Sequence, residues 1–338
     1  MKIALDVIGG DNAPLSTIEG AFSYLDDQGD SAAELILLGD KDQIESSIRN
    51  LSHDKSDITI QHTTETVGMN ERSSRIFKEK PNSSLVQSVQ LVRDGKAQAV
   101  VSAGNTGALL ASSLFLIGKI PGIRRPAFAP FIPTNKEGFI LCDAGANSDN
   151  KPEHLLQFAF MASAYIKHLD KIHRPKIGLL NIGIEKNKGN QLIKQTFPLL
   201  EHNFKNFIGN IESRTLFDNK VDIVVCDGFT GNIVLKLIEG TVNNMVKNTM
   251  KSINSHSLSK IIKPVLSPVL KDIKKSLDYE EHGGTPLLGV NGIVMKCHGA
   301  SNDKAIENAL LNTQKSYENN LIRDMNNLLS KNRLKLID

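Results

Sequence analysis

No Gly-x-Gly occurs anywhere in the chain, which removes the glycine fingerprint of a dinucleotide-binding turn. The P-loop pattern GxxxxGK[ST] is missing as well. Its nearest approach, Gly178 to Gly183, is followed by Ile184 where lysine is required. No GxSxG elbow supports a serine hydrolase, no HExxH pair is present, and the nine histidines are scattered, so neither a metal nor another cofactor is expected. The three cysteines, Cys142, Cys226 and Cys297, form no CxxC pair, which excludes a zinc ribbon or a thioredoxin-type centre. Cys142 and Cys226 sit inside apolar runs and read as small buried hydrophobes in a reducing compartment. A net charge of +3 without a Lys/Arg stripe excludes a nucleic-acid footprint. The opening residues MKIALDVIGGD turn acidic too soon for a signal peptide. One segment without charge, Ala97 to Gly118, has about the length of a membrane span. Ser102, Asn105, Thr106 and two glycines interrupt it, so it reads as a buried strand followed by a buried helix.

What the chain does have is a repeated grammar. Short apolar runs end in Gly, Asp or Asn: KIALDVIGGDNAP from Lys2, ELILLGD from Glu34, QAVVSAGNTG from Gln98, FILCDAGANSDNKPEH from Phe139, KIGLLNIGIEKNKGN from Lys176, DIVVCDGFTGN from Asp222 and GIVMKCHGASN from Gly292. Helical patterns lie between them, as at Leu155 to Leu169 and Gln191 to Leu200. Continuous apolar strands alternating with helices imply an α/β fold whose mostly parallel sheet is covered on both faces. The parallel strands of such a sheet deliver their carboxyl ends to one edge, where ligands bind. The polar tails of these runs therefore converge on one crevice. The whole chain, 1–338, reads as a single α/β domain.

One stretch interrupts this pattern. From Met250 to Asp278, apolar residues including Leu258, Ile261, Ile262 and Val265 recur at helical spacing with lysines between them. Pro264 and Pro268 forbid one uninterrupted helix, and Ser267-Pro268 reads as a cap and first-turn proline where a helix restarts. Residues 236–278 are expected to form an amphipathic hairpin that packs in the core, contacts a dimer partner or touches a membrane surface. A last amphipathic helix is expected over about Asp303 to Leu329.

Several strand tails carry chemistry. Ser102-Ala-Gly-Asn-Thr-Gly107 places a helix start near Asn105, where unpaired N–H groups and a partial positive charge favour an anion and glycines allow close approach. Ser102, Gly104, Asn105, Thr106 and Gly107 are thus candidate phosphate contacts. DAGANSDNKPEH supplies Asp143, Asn147, Lys151 and His154, with Pro152 suited to the first helical position. LNIGIEKNKGN supplies Asn181, Lys186, Lys188 and Asn190. CDGFTGN supplies Asp227, Gly228, Thr230, Gly231 and Asn232 at another strand-to-helix entry. His298 and Ser301 sit in CHGASN.

These blocks, with DVIGGDNAP at Asp6, FIGNIE at Phe207 and GGTPLLGVNGIVMKCHGASN at Gly283, stand in an order that closely resembles the bacterial phosphate acyltransferases of phospholipid synthesis. The resemblance runs from Lys2 to about Asn312. It implies a three-layer α/β/α Rossmann-like fold related to phosphotransacetylases and isocitrate dehydrogenases, and a homodimer. It also implies transfer of a fatty acyl group from acyl carrier protein to inorganic phosphate, with the acyl phosphate passing to a membrane glycerol-3-phosphate acyltransferase. A cytoplasmic protein peripherally associated with the inner, anionic face of the cell membrane would follow, with Leu258, Ile261, Ile262 and Val265 as membrane contacts. Asn12 stands where the family often carries histidine, so no essential proton donor is expected there.

Phosphate is itself a nucleophile, so direct attack on the thioester needs alignment and oxyanion stabilisation rather than a protein nucleophile. Lys188 is the candidate oxyanion or leaving-group partner and His154 the alternative proton donor. Asp143 and Asp227 are expected to orient the donors. Asn147, Lys151 and Asn190 complete the binding set with the Gly228–Asn232 turn. Lys119, Arg124 and Arg125 are candidate docking charges for an acidic carrier. A nicotinamide-dependent dehydrogenase of related fold and a non-catalytic phosphate- or carrier-binding module are the competing readings.

Overall fold

The computed structural model describes residues 1–49, 58–72, 74–134, 138–169, 172, 174–255, 263–270 and 283–332, the side chains of 329–332 excepted. Its strands form two sheets. The first has seven strands in the order β3 (Ile58–His62), β2 (Glu34–Gly39), β1 (Lys2–Asp6), β4 (Ala99–Ser102), β12 (Ile293–Lys296), β11 (Thr285–Leu288) and β5 (Ala127–Phe128). The second has five, in the order β6 (Phe131–Pro133), β7 (Gly138–Cys142), β10 (Ile223–Val225), β8 (Ile177–Asn181) and β9 (Phe207–Glu212). Pairing is parallel from β3 through β12 and from β7 through β9; β11 and β6 run antiparallel to their neighbours.

The apolar runs alternate faces with the two-residue period of a strand. Ile3, Leu5, Leu35, Leu37, Ala99, Val101 and Met295 turn toward α1 (Leu15–Gln28), α2 (Lys41–Arg49) and α10 (Asp303–Glu318). From the opposite face, Val100 and Val294 meet Leu85, Val86 and Val89 of α4 (Ser84–Arg93) and Ala108 and Leu109 of α5 (Thr106–Ser112). Short α3 (Ile76–Glu79) joins them through Ile76. The same cluster takes in Leu141, Val224 and Cys226 of the second sheet and Leu235 of α8 (Gly228–Ser255), so one apolar layer joins the two sheets. The far face of the second sheet packs Ile140, Leu179 and Val225 on α6 (Pro152–Leu169), α7 (Gln191–Asn203) and α11 (Leu321–Asn332). This is the expected α/β/α layering with a mostly parallel sheet, and all three cysteines are buried in it.

Two helical expectations fail. The helix α9, residues 263–270, runs through Ser267 and Pro268 with no restart. Within it, Pro268 removes a single intrahelical hydrogen bond. The final helix is two, because Asn320 takes the left-handed conformation with φ 56° after Glu318 and ends α10. Among the residues of the expected 236–278 hairpin, α8 extends back to Gly228, while Leu258, Ile261 and Ile262 lie outside the described residues. Val265 is 66% exposed on α9.

Candidate active site

The turn after β7 is built on Asp143. Its carboxylate is buried and accepts four hydrogen bonds, from the N–H groups of Phe128 (3.0 Å), Ala146 (3.0 Å) and Asn147 (2.9 Å) and from Asn147 Nδ2 (2.8 Å). Burial nonetheless outweighs those donors and raises its pKa to about 6. Asn147 is fixed from both sides, since Nδ2 also donates to the Pro126 carbonyl at 2.7 Å. The start of α8 sits directly on this turn. A Cβ at Gly228 would strike the Asp143 carboxylate, and one at Gly231 the Asp143 carbonyl oxygen, so both positions must be glycine. Asp227 caps the helix: Oδ1 accepts the Thr230 N–H (2.9 Å) and Oδ2 the Thr230 hydroxyl (2.7 Å). Gly145, at φ 118°, approaches the Asn232 side chain. The structure therefore brings Asp143, Asn147, Asp227, Thr230 and Asn232 together.

Neighbouring loops add cations. β8 pairs with β10, so the loop after β8 lies beside the Asp227 turn. There the backbone of Lys188 is held at both ends, its N–H donating to Glu185 (3.1 Å) and its carbonyl accepting from Asn181 Nδ2 (3.2 Å), while the residue itself is exposed. Asn190 caps α7 by accepting the Ile193 N–H at 3.0 Å. On the other side, α6 begins at Pro152 as its sequence implies. Buried His154 accepts the Lys151 N–H on Nδ1 at 3.1 Å, which leaves the proton of the neutral ring on Nε2. Burial lowers the His154 pKa first, and the charges of Arg125, Arg124 and Lys151 lower it further, so the ring is a neutral N–H donor at physiological pH. The Lys119–Arg125 segment packs here too, with Lys119 Nζ on the Arg124 carbonyl (2.9 Å) and Arg124 N–H on Gln157 (2.8 Å).

The Ser102–Gly107 turn is wired differently from its expectation. α5 does begin at Thr106 with Asn105 as its cap, Oδ1 accepting the Ala108 N–H at 3.0 Å. But Asn105 Nδ2 is spent on the carbonyls of Gly68, Met69 and Glu71. Ser102 is fully buried; its hydroxyl donates to Asp6 (2.6 Å) and accepts the Gly104 N–H (3.0 Å). Side-chain donors at Ser102 and Asn105 thus hold the turn. What faces solvent is Thr106, the first residue of α5.

Asp6 and Lys296 escaped the motif reading. Both are buried, and the pairing register sets Asp6, Ser102 and Lys296 in one row across β1, β4 and β12. Burial raises the Asp6 pKa against the hydrogen bond of Ser102 and the charge of Lys296. The signal was available: charged residues end two apolar strands that flank the SAGN turn. His298 lies close enough to Lys236 and Glu239 of α8 to feel both charges, after burial, which lowers its pKa most. α8 thus starts on the Asp143 turn and carries Lys236 and Glu239 near His298.

Residues 1–323 match the family described as "Fatty acid synthesis protein". The chain belongs to that family. Its curated relatives include the phosphate acyltransferase of Clostridioides difficile, 41% identical over 332 residues (98% of this chain, 97% of the relative). That of Macrococcus caseolyticus is 44% identical over 324 residues (95% and 97%). The resemblance read from the ordered motifs is thereby confirmed, and the family is one of acyltransferases. Among solved structures, a phosphotransacetylase from Streptococcus pyogenes aligns with a TM-score of 0.62 at 16% identity, over 94% of each chain. A branched-chain phosphotransacylase from Enterococcus faecalis aligns at 0.58 and 13%, over 93% of this chain and 98% of that one. At such identities these two speak for the fold.

Proposed function

We propose that this protein transfers a fatty acyl group from the thioester of acyl carrier protein to inorganic phosphate. A phosphate oxygen attacks the thioester carbonyl, the tetrahedral intermediate collapses, the C–S bond breaks, and acyl phosphate and the carrier thiolate leave. The observation that supports this most is the seat of the 28-residue helix α8 on the Asp143–Asn147 turn, flanked by Lys188. A long helix start carries partial positive charge and unpaired N–H groups, the right partner for a dianion. Thr106 and Asn232 offer side-chain donors from the two edges. Lys188, pinned through its backbone and free to reach, stabilises the oxyanion. His154 assists as a neutral Nε2–H donor rather than as a proton source, since a thiolate leaves without prior protonation. Asp143 and Asp227 act by fixing the shape of this turn, taking up the donors of Asn147 and Thr230.

The same reading extends to the surroundings. Lys119, Arg124, Arg125 and Lys151 form a basic rim suited to an acidic carrier protein. The protein works as a homodimer in phospholipid synthesis and supplies acyl phosphate to a glycerol-3-phosphate acyltransferase. It is cytoplasmic and touches the inner membrane face through the segment around Val265. No helix among the described residues is long and apolar enough to cross a membrane. The test is to incubate the pure protein with an acyl carrier thioester and measure free thiol. Release that requires phosphate supports the reading; binding of thioester and phosphate without turnover would return it to a binding module.

A further inference from the structure

The outer face of α8 carries apolar side chains that the core does not use. On the inner face Leu235 is buried beside Ala144 and Cys226. Phe229, Ile233 and Leu237, spaced one turn apart, are 63%, 51% and 66% exposed. Such spacing makes one continuous stripe. It continues over Gly240, where an added Cβ would meet nothing within 4 Å. The loop after β8, beside α8 through the pairing of Leu179 with Val225, adds Ile182 at 81% and Ile184 at 67% exposure. Five large apolar side chains thus face solvent on the two segments that carry Lys188 and Asn232. An exposed apolar stripe such as that of Phe229, Ile233 and Leu237 marks a binding surface.

We propose that the saturated acyl chain of the substrate lies along the Phe229–Ile233–Leu237 stripe, with Ile182 and Ile184 as its second wall, and that Ile233 and Leu237 set the chain-length preference. This rests on the acyl-transfer reading above. Continuity argues for the occupant: the stripe starts inside the Asp227–Asn232 turn, where the reacting carbonyl belongs, and leads away from it. From Phe229 it covers about 12 Å to Leu237 and about 16 Å to Gly240, the reach of medium and long chains. Each methylene fully covered contributes up to about fourfold in affinity, so a few side chains discriminate strongly between lengths. A second copy of this chain is the competing occupant.

The experiment uses the full chain with carrier-protein thioesters of four, eight and sixteen carbons, comparing wild type with Ile233→Gln and Leu237→Gln. Both positions are exposed, so the fold tolerates the change. The sixteen-over-four ratio of kcat/KM is expected to fall about tenfold or more, with the light-scattering mass unchanged. A uniform loss at all lengths, no loss, or a halved mass with an unchanged ratio overturns the proposal; the last assigns the stripe to a second copy. Anisotropy of a pyrene-dodecanoyl thioester reads binding without turnover, and Leu237→Gln must weaken it. Wild type that releases no thiol at any length sinks the acyl-transfer reading instead, while the anisotropy still decides where the chain lies.

Discussion

Lys188 and Asp143 illustrate two ways of placing a charge. Lys188 keeps its ammonium in solvent and spends only its backbone on the loop. Removing that ammonium should cost function and leave the fold alone: Lys188→Ala is expected to lower turnover on the order of 10²–10³, with the urea midpoint unmoved. Near-normal turnover would take Lys188 out of the mechanism. Asp143 is the reverse, a buried carboxylate committed to four donors and still titrating at about 6 because desolvation dominates. Its folded pKa lies above the unfolded value, so the folded state binds the extra proton between about pH 4 and 6. The contribution is therefore favourable below pH 4 and is lost as pH rises through 6, on the order of 3 kcal/mol. Urea unfolding of wild type and Asp143→Asn across pH 4 to 7 checks this. The variant should be less stable throughout, since its amide cannot accept all four donors, and its curve should lack the decline.

At the scale of elements, the seat of α8 decides the geometry of the site. Gly231 leaves no room for a side chain, as its Cβ would meet the Asp143 carbonyl and lie 2.9 Å from Cys226 Sγ, whereas Gly240 on the same helix has open space. The two alanine variants should move stability in opposite directions. Gly231→Ala is expected to cost about 1–3 kcal/mol and to depress turnover by shifting the helix start. Gly240→Ala should gain up to about 1 kcal/mol. Urea midpoints measured side by side check both. Much at this scale was legible. The apolar runs became strands, a helix starts beside Asn105 and Pro152 opened α6, because each depends on local spacing and turn chemistry, whereas Asp227 and Asn190, read only as site residues, also serve as caps. What was illegible depends on strand order. Asp6, Ser102 and Lys296 are 96 and 194 residues apart in sequence and meet only through the β1–β4–β12 register. The commitment of Asn105 to the 68–71 carbonyls is likewise a tertiary fact. The break at Asn320 was missed because an asparagine in left-handed backbone ends a helix without any proline or glycine to announce it.

Across the whole molecule, modest net charge hides a local asymmetry. The total is only +3, yet Lys119, Arg124, Arg125 and Lys151 gather around His154, close enough that Arg125, Arg124 and Lys151 each lower its pKa. Glu153 acts on His154 in the opposite sense, and it pairs with Arg124 at 3.6 Å. A partly exposed pair of that length stabilises the fold little and leaves the rim positive. Attraction between this rim and an acidic carrier acts over about 8–10 Å at moderate salt and is screened beyond it. Added salt should therefore raise KM for the carrier thioester while leaving kcat and KM for phosphate nearly unchanged, as the proposed phosphate site relies on short contacts. Arg125→Glu, at an exposed position, should raise KM at low salt and flatten its salt dependence. Steady-state kinetics at several ionic strengths read both effects. A KM for the carrier that ignores salt in wild type would move docking to another face.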